Sequence, residues 1–339
     1  MQDRARGRPE GAPAYWDGFD SLTSELAVRI SLLELQDGSR AHVYQAGPDG
    51  VPDVLIVSPA ESPFLLISRL FRRLSRKYRV TAWDPADGAF MDSAPEAPPP
   101  TLSRMANALL GISEAYQLSS PHLVSWCSGA LVAAWVLAGA PGRAGSATFI
   151  APPSVLGRCA ERTEFQSHFL QTILKLASGG YRDEEAVFRD IQSAPRGRPF
   201  GNADDEAIFE LTNLPVRDLH ALRRYARSIH NACTCVPPSM ARFRALAYAE
   251  VVEAACQTLP IALLHCKDDD VVSYKCSADV AARNADVKLV LYPSGGHFVI
   301  FKQPDMLGTD IEGFVDGLRC PSRGAEPREA VEAAHGAQI

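Results

Sequence analysis

Short apolar runs alternate with longer amphipathic segments along most of the chain, which is typical of a protein built from strands and helices in turn. Several runs, such as 54–57, are apolar at every position, as expected of strands buried on both faces of a parallel sheet. The apolar runs predict eight strands, at 28–35, 41–45, 54–57, 80–83, 122–124, 147–150, 261–265 and 288–291. The amphipathic segments between them predict helices, at 63–78, 102–116, 130–138, 277–284 and 306–318. This order predicts an α/β fold with a mostly parallel sheet flanked by helices.

The alternation stops between the sixth and seventh strands, where about a hundred residues are helical or irregular. Helical segments are predicted there at 164–176, 218–230 and 240–256. The pattern predicts a helical insertion at 154–259, which divides the core into 19–153 and 260–319. The two ends, 1–18 and 320–339, are rich in Gly, Pro, Ala, Arg and Glu and are predicted to be disordered tails.

The segment Ser125-Trp126-Cys127-Ser128-Gly129 joins the fifth strand to an apolar helix. A strand, a sharp turn and a helix, with small residues two positions on either side of the turn residue, form the nucleophile elbow of α/β-hydrolases. Only Cys127 as the centre puts small residues at both flanks, because the other two registers each put a bulky side chain there. We therefore expect Cys127 to be a nucleophile, and the alternative is a buried structural cysteine.

A thiol nucleophile needs a base and a carboxylate that orients the base, and in this fold the chain order is nucleophile, acid, histidine. Three aspartates follow the seventh strand. Asp269 best resembles the acid of α/β-hydrolases, which usually has a valine three positions later. Asp268 and Asp270 remain open because the sequence does not settle a shift of one residue. His297 follows the eighth strand directly after two glycines, whose backbone freedom lets the loop turn back over the elbow, and it is the predicted general base.

The oxyanion hole of this architecture uses the backbone N–H after the nucleophile and one from the loop after the third strand. The first is predicted at Ser128. In the second loop Pro59 has no N–H, so Ala60 is the expected donor. Trp126, beside the nucleophile, is the predicted substrate-pocket residue.

The elbow, the acid and the histidine resemble those of the α/β-hydrolase superfamily over residues 28–318. This superfamily commonly inserts a helical cap at the same point of the chain, so the resemblance implies that the insertion at 154–259 is a cap or lid. The Cys-centred elbow is similar to that of stand-alone acyl or aminoacyl shuttle transferases and thioesterases of nonribosomal peptide and polyketide biosynthesis. That resemblance implies an acyltransferase that accepts an acyl group from the phosphopantetheine thioester of an acyl or peptidyl carrier protein and passes it through S-acyl-Cys127 to a second carrier or other acceptor. The alternatives are a thioesterase, a hydroxyacyl-thioester polymerase and a non-catalytic binding protein on this scaffold. No bound cofactor or metal is implied.

Composition limits the binding partners and the cellular compartment that we expect for this chain. The chain has 339 residues, 46% of them hydrophobic, and a formal net charge of −6, which argues against a nucleic-acid surface. Its eight cysteines follow no disulfide or metal-ligand spacing. The beginning of the chain lacks the apolar core of a signal peptide, and no apolar run approaches the ~18 residues that would suggest a membrane span. We therefore expect a cytoplasmic protein that binds no nucleic acid and no membrane.

Overall fold

The computed structural model describes most of the chain. The described residues are 28–36, 38, 40–59, 62–84, 101–140, 142–153, 161–193, 202–213, 218–234, 255 and 257–319. The predicted tails at 1–18 and 320–339, Ala60, and all but one residue of the predicted helix at 240–256 lie outside them.

The core is an eight-stranded sheet, and the prediction of a mostly parallel sheet flanked by helices is confirmed. Its strands are β1 (Arg29–Glu34), β2 (Arg40–Ala46), β3 (Asp53–Val57), β4 (Arg79–Trp83), β5 (His122–Trp126), β6 (Ser146–Ile150), β7 (Ile261–Cys266) and β8 (Val287–Tyr292). They lie in the order β1-β2-β4-β3-β5-β6-β7-β8. β2 is antiparallel to both of its neighbours, and from β4 to β8 every pairing is parallel. Because the carboxyl ends of parallel strands meet at one edge, the loops after β3, β5, β7 and β8 share that edge.

Helices pack on both faces of the sheet. Those described are α1 (Ser68–Ser75), α2 (Leu102–Ala115), α3 (Gly129–Gly139), α4 (Glu164–Ala177), α5 (Glu184–Ser193), α6 (Ala203–Asn213), α7 (Leu219–Thr234), α8 (Lys275–Arg283), α9 (Val299–Lys302) and α10 (Pro304–Arg319). Helices α2 and α3 cover one face of the sheet, and α1, α9 and α10 cover the other. Each face is a separate cluster of buried apolar side chains, which explains why the central strands are apolar at successive positions.

Two helical segments differ from the prediction. The continuous helix expected at 63–78 is instead a 3₁₀ helix, Phe64–Leu66, followed by the shorter α1. The backbone N–H of Phe64, at the start of the 3₁₀ helix, donates a hydrogen bond to the side chain of Asp84. Helix α9, directly after the predicted general base, has four residues and is too short to show helical periodicity in the sequence.

The segment between β6 and β7 contains α4 to α7, and the sequence predicted α4 and α7 but not α5 and α6. Helices α4 and α7 share a small apolar cluster of their own, formed by residues such as Ile173 and Leu222. Helix α6 is tied to the core by two ion pairs, Arg69–Asp204 and Lys302–Asp205. Whether these helices act as a lid stays a prediction.

Among the residues that the structure describes, no helix combines the length and apolarity that crossing a membrane requires.

Candidate active site

Cys127 stands at a sharp turn between β5 and α3. Its backbone φ is +49°, in the left-handed region that non-glycine residues rarely adopt. Its N–H donates a 3.0 Å hydrogen bond to the carbonyl of Ile150 in β6, which fixes the turn against the sheet. The turn also requires a glycine two positions later, because a Cβ on Gly129 would lie 2.3 Å from the carbonyl oxygen of Val57. This backbone has the strain and the close strand–helix approach of a nucleophile elbow.

The loops after β7 and β8 bring an aspartate and a histidine together at the same edge of the sheet. Nδ1 of His297 lies 3.0 Å from Oδ2 of Asp269. The side chain of Cys127 lies close enough to the imidazole to raise its pKa. All three residues predicted from the sequence therefore meet in the chain Cys127–His297–Asp269, and both His297 and Asp269 are buried.

The carboxylate of Asp269 is held from both sides. Its Oδ1 accepts hydrogen bonds from the backbone N–H groups of Val271, at 2.9 Å, and Val272, at 2.7 Å. Burial by itself would raise the pKa of Asp269. The hydrogen bonds from His265, His297 and Val272 outweigh it and hold that pKa well below its usual range. Asp269 is therefore a fixed negative charge beside His297.

The neighbouring aspartate, Asp268, stabilises the loop that carries His297. Asp268 accepts hydrogen bonds from the backbone N–H of Gly295, at 3.1 Å, and of Gly296, at 2.9 Å. These two glycines have φ values of +142° and +66° and directly precede His297. Of the three aspartates left open by the sequence, Asp269 contacts the imidazole and Asp268 fastens its loop, whereas Asp270 is exposed.

His297 is held in its protonated form. Burial alone would lower its pKa, because a charged imidazole is costly to desolvate. The negative charge of Cys127, with the hydrogen bonds to Asp269 and Cys127, outweighs burial and raises the pKa of His297 to about 10. The raised pKa of His297 thus depends on its contacts with Cys127 and Asp269.

The other predicted site residues are Trp126, Ser128 and Ala60. Trp126 is buried, and its indole N–H donates a 3.1 Å hydrogen bond to the carbonyl of His297, so it supports the histidine backbone. A role of Trp126 in lining a substrate pocket stays a prediction. Ser128 is the N-cap of α3, next to Cys127, where an oxyanion-hole N–H is expected. The other expected donor, Ala60, lies outside the described residues.

One residue at this site was not found by sequence reasoning. His265, at the end of β7, belongs to no sequence motif, and its Nε2 lies 3.4 Å from Oδ2 of Asp269. Its spacing of four residues before Asp269 is the only sequence signal, and such a spacing is too common to indicate a contact in a loop.

A sequence profile described as "Alpha/beta hydrolase family" matches residues 11–307. The chain belongs to this family. No curated protein sequence matches it. Among solved structures, the fold of this alpha/beta hydrolase is similar to that of a putative lipase from Acinetobacter baumannii AYE, with a TM-score of 0.68, 13% identity, and coverage of 93% of this chain and 100% of the lipase.

Two further structures share the fold. One is the carboxylesterase CesB from Bacillus subtilis, with a TM-score of 0.60 and 15% identity, covering 89% of this chain and 97% of the esterase. The other is the haloalkane dehalogenase DbeA from Bradyrhizobium elkani USDA94, with a TM-score of 0.68 and 14% identity, covering 87% and 100%. At these identities the likeness concerns the fold of this alpha/beta hydrolase and not its substrate.

Proposed function

We propose that this alpha/beta hydrolase is a cysteine-dependent acyl-transferring enzyme that accepts an acyl or aminoacyl group from a thioester. The observation that carries the proposal is the elbow position of Cys127 beside a buried His297, whose pKa is raised and which is bound to Asp269. Asp269 completes the triad as the carboxylate that orients the imidazole.

In the first proposed step the thiolate of Cys127 attacks the carbonyl carbon of the thioester, and a tetrahedral oxyanion forms. The backbone N–H groups of Ser128 and Ala60 are the proposed donors to that oxygen. The bond between the carbonyl carbon and the donor sulfur then breaks, and His297 gives its proton to the departing thiolate. The products are S-acyl-Cys127, a free donor thiol and a neutral imidazole.

In the second step the neutral His297 takes a proton from the acceptor, which attacks the carbonyl carbon of S-acyl-Cys127. The bond to Sγ breaks and the thiolate–imidazolium pair is restored. Exchange between two thioesters is nearly thermoneutral, so a cysteine can load and unload an acyl group reversibly, whereas a serine ester lies downhill from a thioester. This chemistry favours transfer over a serine-type hydrolysis, and it supports a phosphopantetheine thioester on a carrier protein as donor.

Hydrolysis is the second candidate, because water can attack the same S-acyl intermediate. It is favoured by the similar solved structures, among which are proteins described as a lipase and a carboxylesterase. The two candidates share the first step and differ only in the acceptor.

The test uses acyl and aminoacyl thioesters of pantetheine as probes. We expect a mass increment equal to the acyl group in the intact protein, and we expect Cys127→Ala to abolish it while Cys276→Ala, at a buried thiol outside the triad, retains it. Adding a second thiol to the acylated enzyme separates the candidates, since transfer gives a new thioester and hydrolysis gives free acid. The proposal is overturned if no thioester acylates Cys127, or if the Cys127→Ala variant turns over thioesters at the wild-type rate.

A further inference from the structure

The triad carboxylate contacts two histidines. Oδ2 of Asp269 lies 3.0 Å from Nδ1 of His297 and 3.4 Å from Nε2 of His265. His265 is completely buried, so its imidazole is out of reach of any substrate and acts only through its neighbours.

The hydrogen bonds of His265 define where its proton lies. Nε2 is 3.1 Å from the carbonyl oxygen of Val272, and a carbonyl only accepts, so Nε2 carries the hydrogen and donates. The same nitrogen lies 3.4 Å from Oδ2 of Asp269, so its positive edge faces the carboxylate. Nδ1 lies 2.8 Å from the hydroxyl of Ser277 in α8, which holds the other edge of the ring.

These contacts hold the Asp269 loop from inside the core. His265 belongs to β7 and pairs with Leu291 of β8, so its backbone is fixed by the sheet. Its N–H reaches both ends of the short loop 269–272, while the two backbone N–H groups of that loop bind only Oδ1. Among the described residues, His265 and His297 are the two whose side chains contact Oδ2. These contacts limit the rotation of the carboxylate about its Oδ1 hydrogen bonds.

We propose that His265, held by Ser277, is a positioning residue that keeps the Asp269 carboxylate in the orientation that His297 requires. The inference rests on the proposed function, since it concerns the same triad. Among the described residues, the other ionisable groups that face Asp269 are His297, which is already bound to Oδ2, and Cys266, whose thiol is only a weak hydrogen-bond donor.

The experiment needs no substrate. The rate at which iodoacetamide alkylates Cys127 is followed by peptide mass spectrometry from pH 5 to 11 in the full-length protein. Asp269→Asn is the reference for a broken triad. We expect His265→Leu to alkylate about tenfold more slowly at pH 7, the effect of one lost hydrogen bond to a charged group. We also expect the transition of the rate at alkaline pH, which reports the loss of the proton from His297, to move to lower pH, as in Asp269→Asn.

Two further variants separate positioning from packing. His265→Gln keeps an N–H donor in the same region and should restore the rate to within about threefold of the wild type. His122→Leu is the matched control, because His122 is equally buried and bound to two hydroxyls, Ser146 and Thr148, at the opposite end of β5. It should lower the melting temperature without changing the alkylation profile.

Failure of this inference differs from failure of the proposed function. If His265→Leu shows the wild-type profile while Asp269→Asn does not, the positioning role is wrong and the proposed function stands. If wild-type Cys127 itself reacts like an ordinary thiol, the proposed function fails. Should His265→Leu not fold, Ser277→Ala and His265→Asn, whose amide is too short to reach Asp269, decide the matter by the same criterion.

Discussion

The carboxylate of Asp84, one residue beyond β4, accepts a 2.7 Å hydrogen bond from the backbone N–H of Phe64. It also accepts a 2.6 Å hydrogen bond from the hydroxyl of Tyr44, whose ring stacks on that of Phe64 with 3.9 Å between the centroids. Asp84 thus stabilises, by hydrogen bonds, the C-terminal end of the loop that follows β3. The second oxyanion-hole donor is expected in this loop.

Asp84 should make the protein less stable at neutral pH than at mildly acidic pH. Burial raises its pKa to about 6, and the hydrogen bonds from Tyr44 and Phe64 offset only part of this. A carboxyl whose pKa is raised on folding binds more protons in the folded state, so stability is lost as the pH rises from about 4 through 6. For a shift of this size the loss is on the order of 3 kcal/mol.

The test measures the free energy of unfolding in urea at pH 4 and pH 7. In Asp84→Asn this free energy should not show the loss between the two pH values. Asp279→Asn, at an exposed ion pair with Arg283, should follow the wild type; parallel curves for Asp84→Asn and wild type would contradict the prediction.

Gly129 should be irreplaceable even by alanine. A Cβ there would lie 2.3 Å from the carbonyl oxygen of Val57, and backbone atoms cannot move aside cheaply. We expect Gly129→Ala to cost about 3 kcal/mol, near the upper end for overpacking, and to slow alkylation of Cys127. Gly313→Ala is the control: it lies within α10 with no atom near the new Cβ, and it should stabilise by about 0.5–1 kcal/mol. The free energy of unfolding of both variants is measured in urea. Equal changes in Gly129→Ala and Gly313→Ala would exclude the steric explanation.

Asp268 should affect reactivity although it does not touch His297. Its carboxylate holds the backbone N–H groups of Gly295 and Gly296, so its removal frees the loop that aims the imidazole. We expect Asp268→Ala to slow alkylation of Cys127 about three- to tenfold, as for the loss of exposed charge-assisted hydrogen bonds. Asp270→Ala, two residues away and exposed, should leave the rate unchanged. The same loss in both variants would point to general damage of the loop.

Removing the thiol should change the titration of the histidine. The negative charge of Cys127 is the strongest influence that raises the pKa of His297, and without it burial pulls the pKa down. In Cys127→Ala the pKa of His297, followed by NMR of the imidazole nitrogens, should therefore fall below its wild-type value of about 10. Cys276→Ser serves as the comparison and should leave it unchanged. An identical titration in Cys127→Ala would mean that no ion pair forms.

Thr163 should matter for both stability and reactivity. Its hydroxyl caps α4 by accepting from the N–H of Gln166, and it donates a 2.8 Å hydrogen bond to the carbonyl of Val271 in the loop of Asp269. Thr163→Val should cost about 1 kcal/mol as a lost cap and should also slow alkylation of Cys127. Thr101→Val removes the equivalent cap of α2, where Thr101 accepts from Arg104, and should affect the melting temperature alone. If alkylation of Cys127 is equally fast in both variants, the link to Val271 has no effect on the site.

The element order was readable from the sequence because the central strands are buried on both faces and the helices on one. These two patterns differ in period, and each persists over the length of its element. Helix α5 was missed because it is short and rich in charged residues, and α6 because its apolar residues do not gather on one face. The split before α1 was missed because the helical spacing of apolar residues continues across it.

Cys127, His297 and the aspartate cluster were likewise determined by the sequence, because an elbow needs small flanking residues and because strand ends fix where catalytic loops begin. Only the tertiary structure decided that Asp269 binds the imidazole, that Asp268 fastens the loop and that His265 lies behind the carboxylate. The physical reason is that the direction of a side chain in a turn depends on backbone angles and on partners from distant strands. Local sequence fixes neither of these.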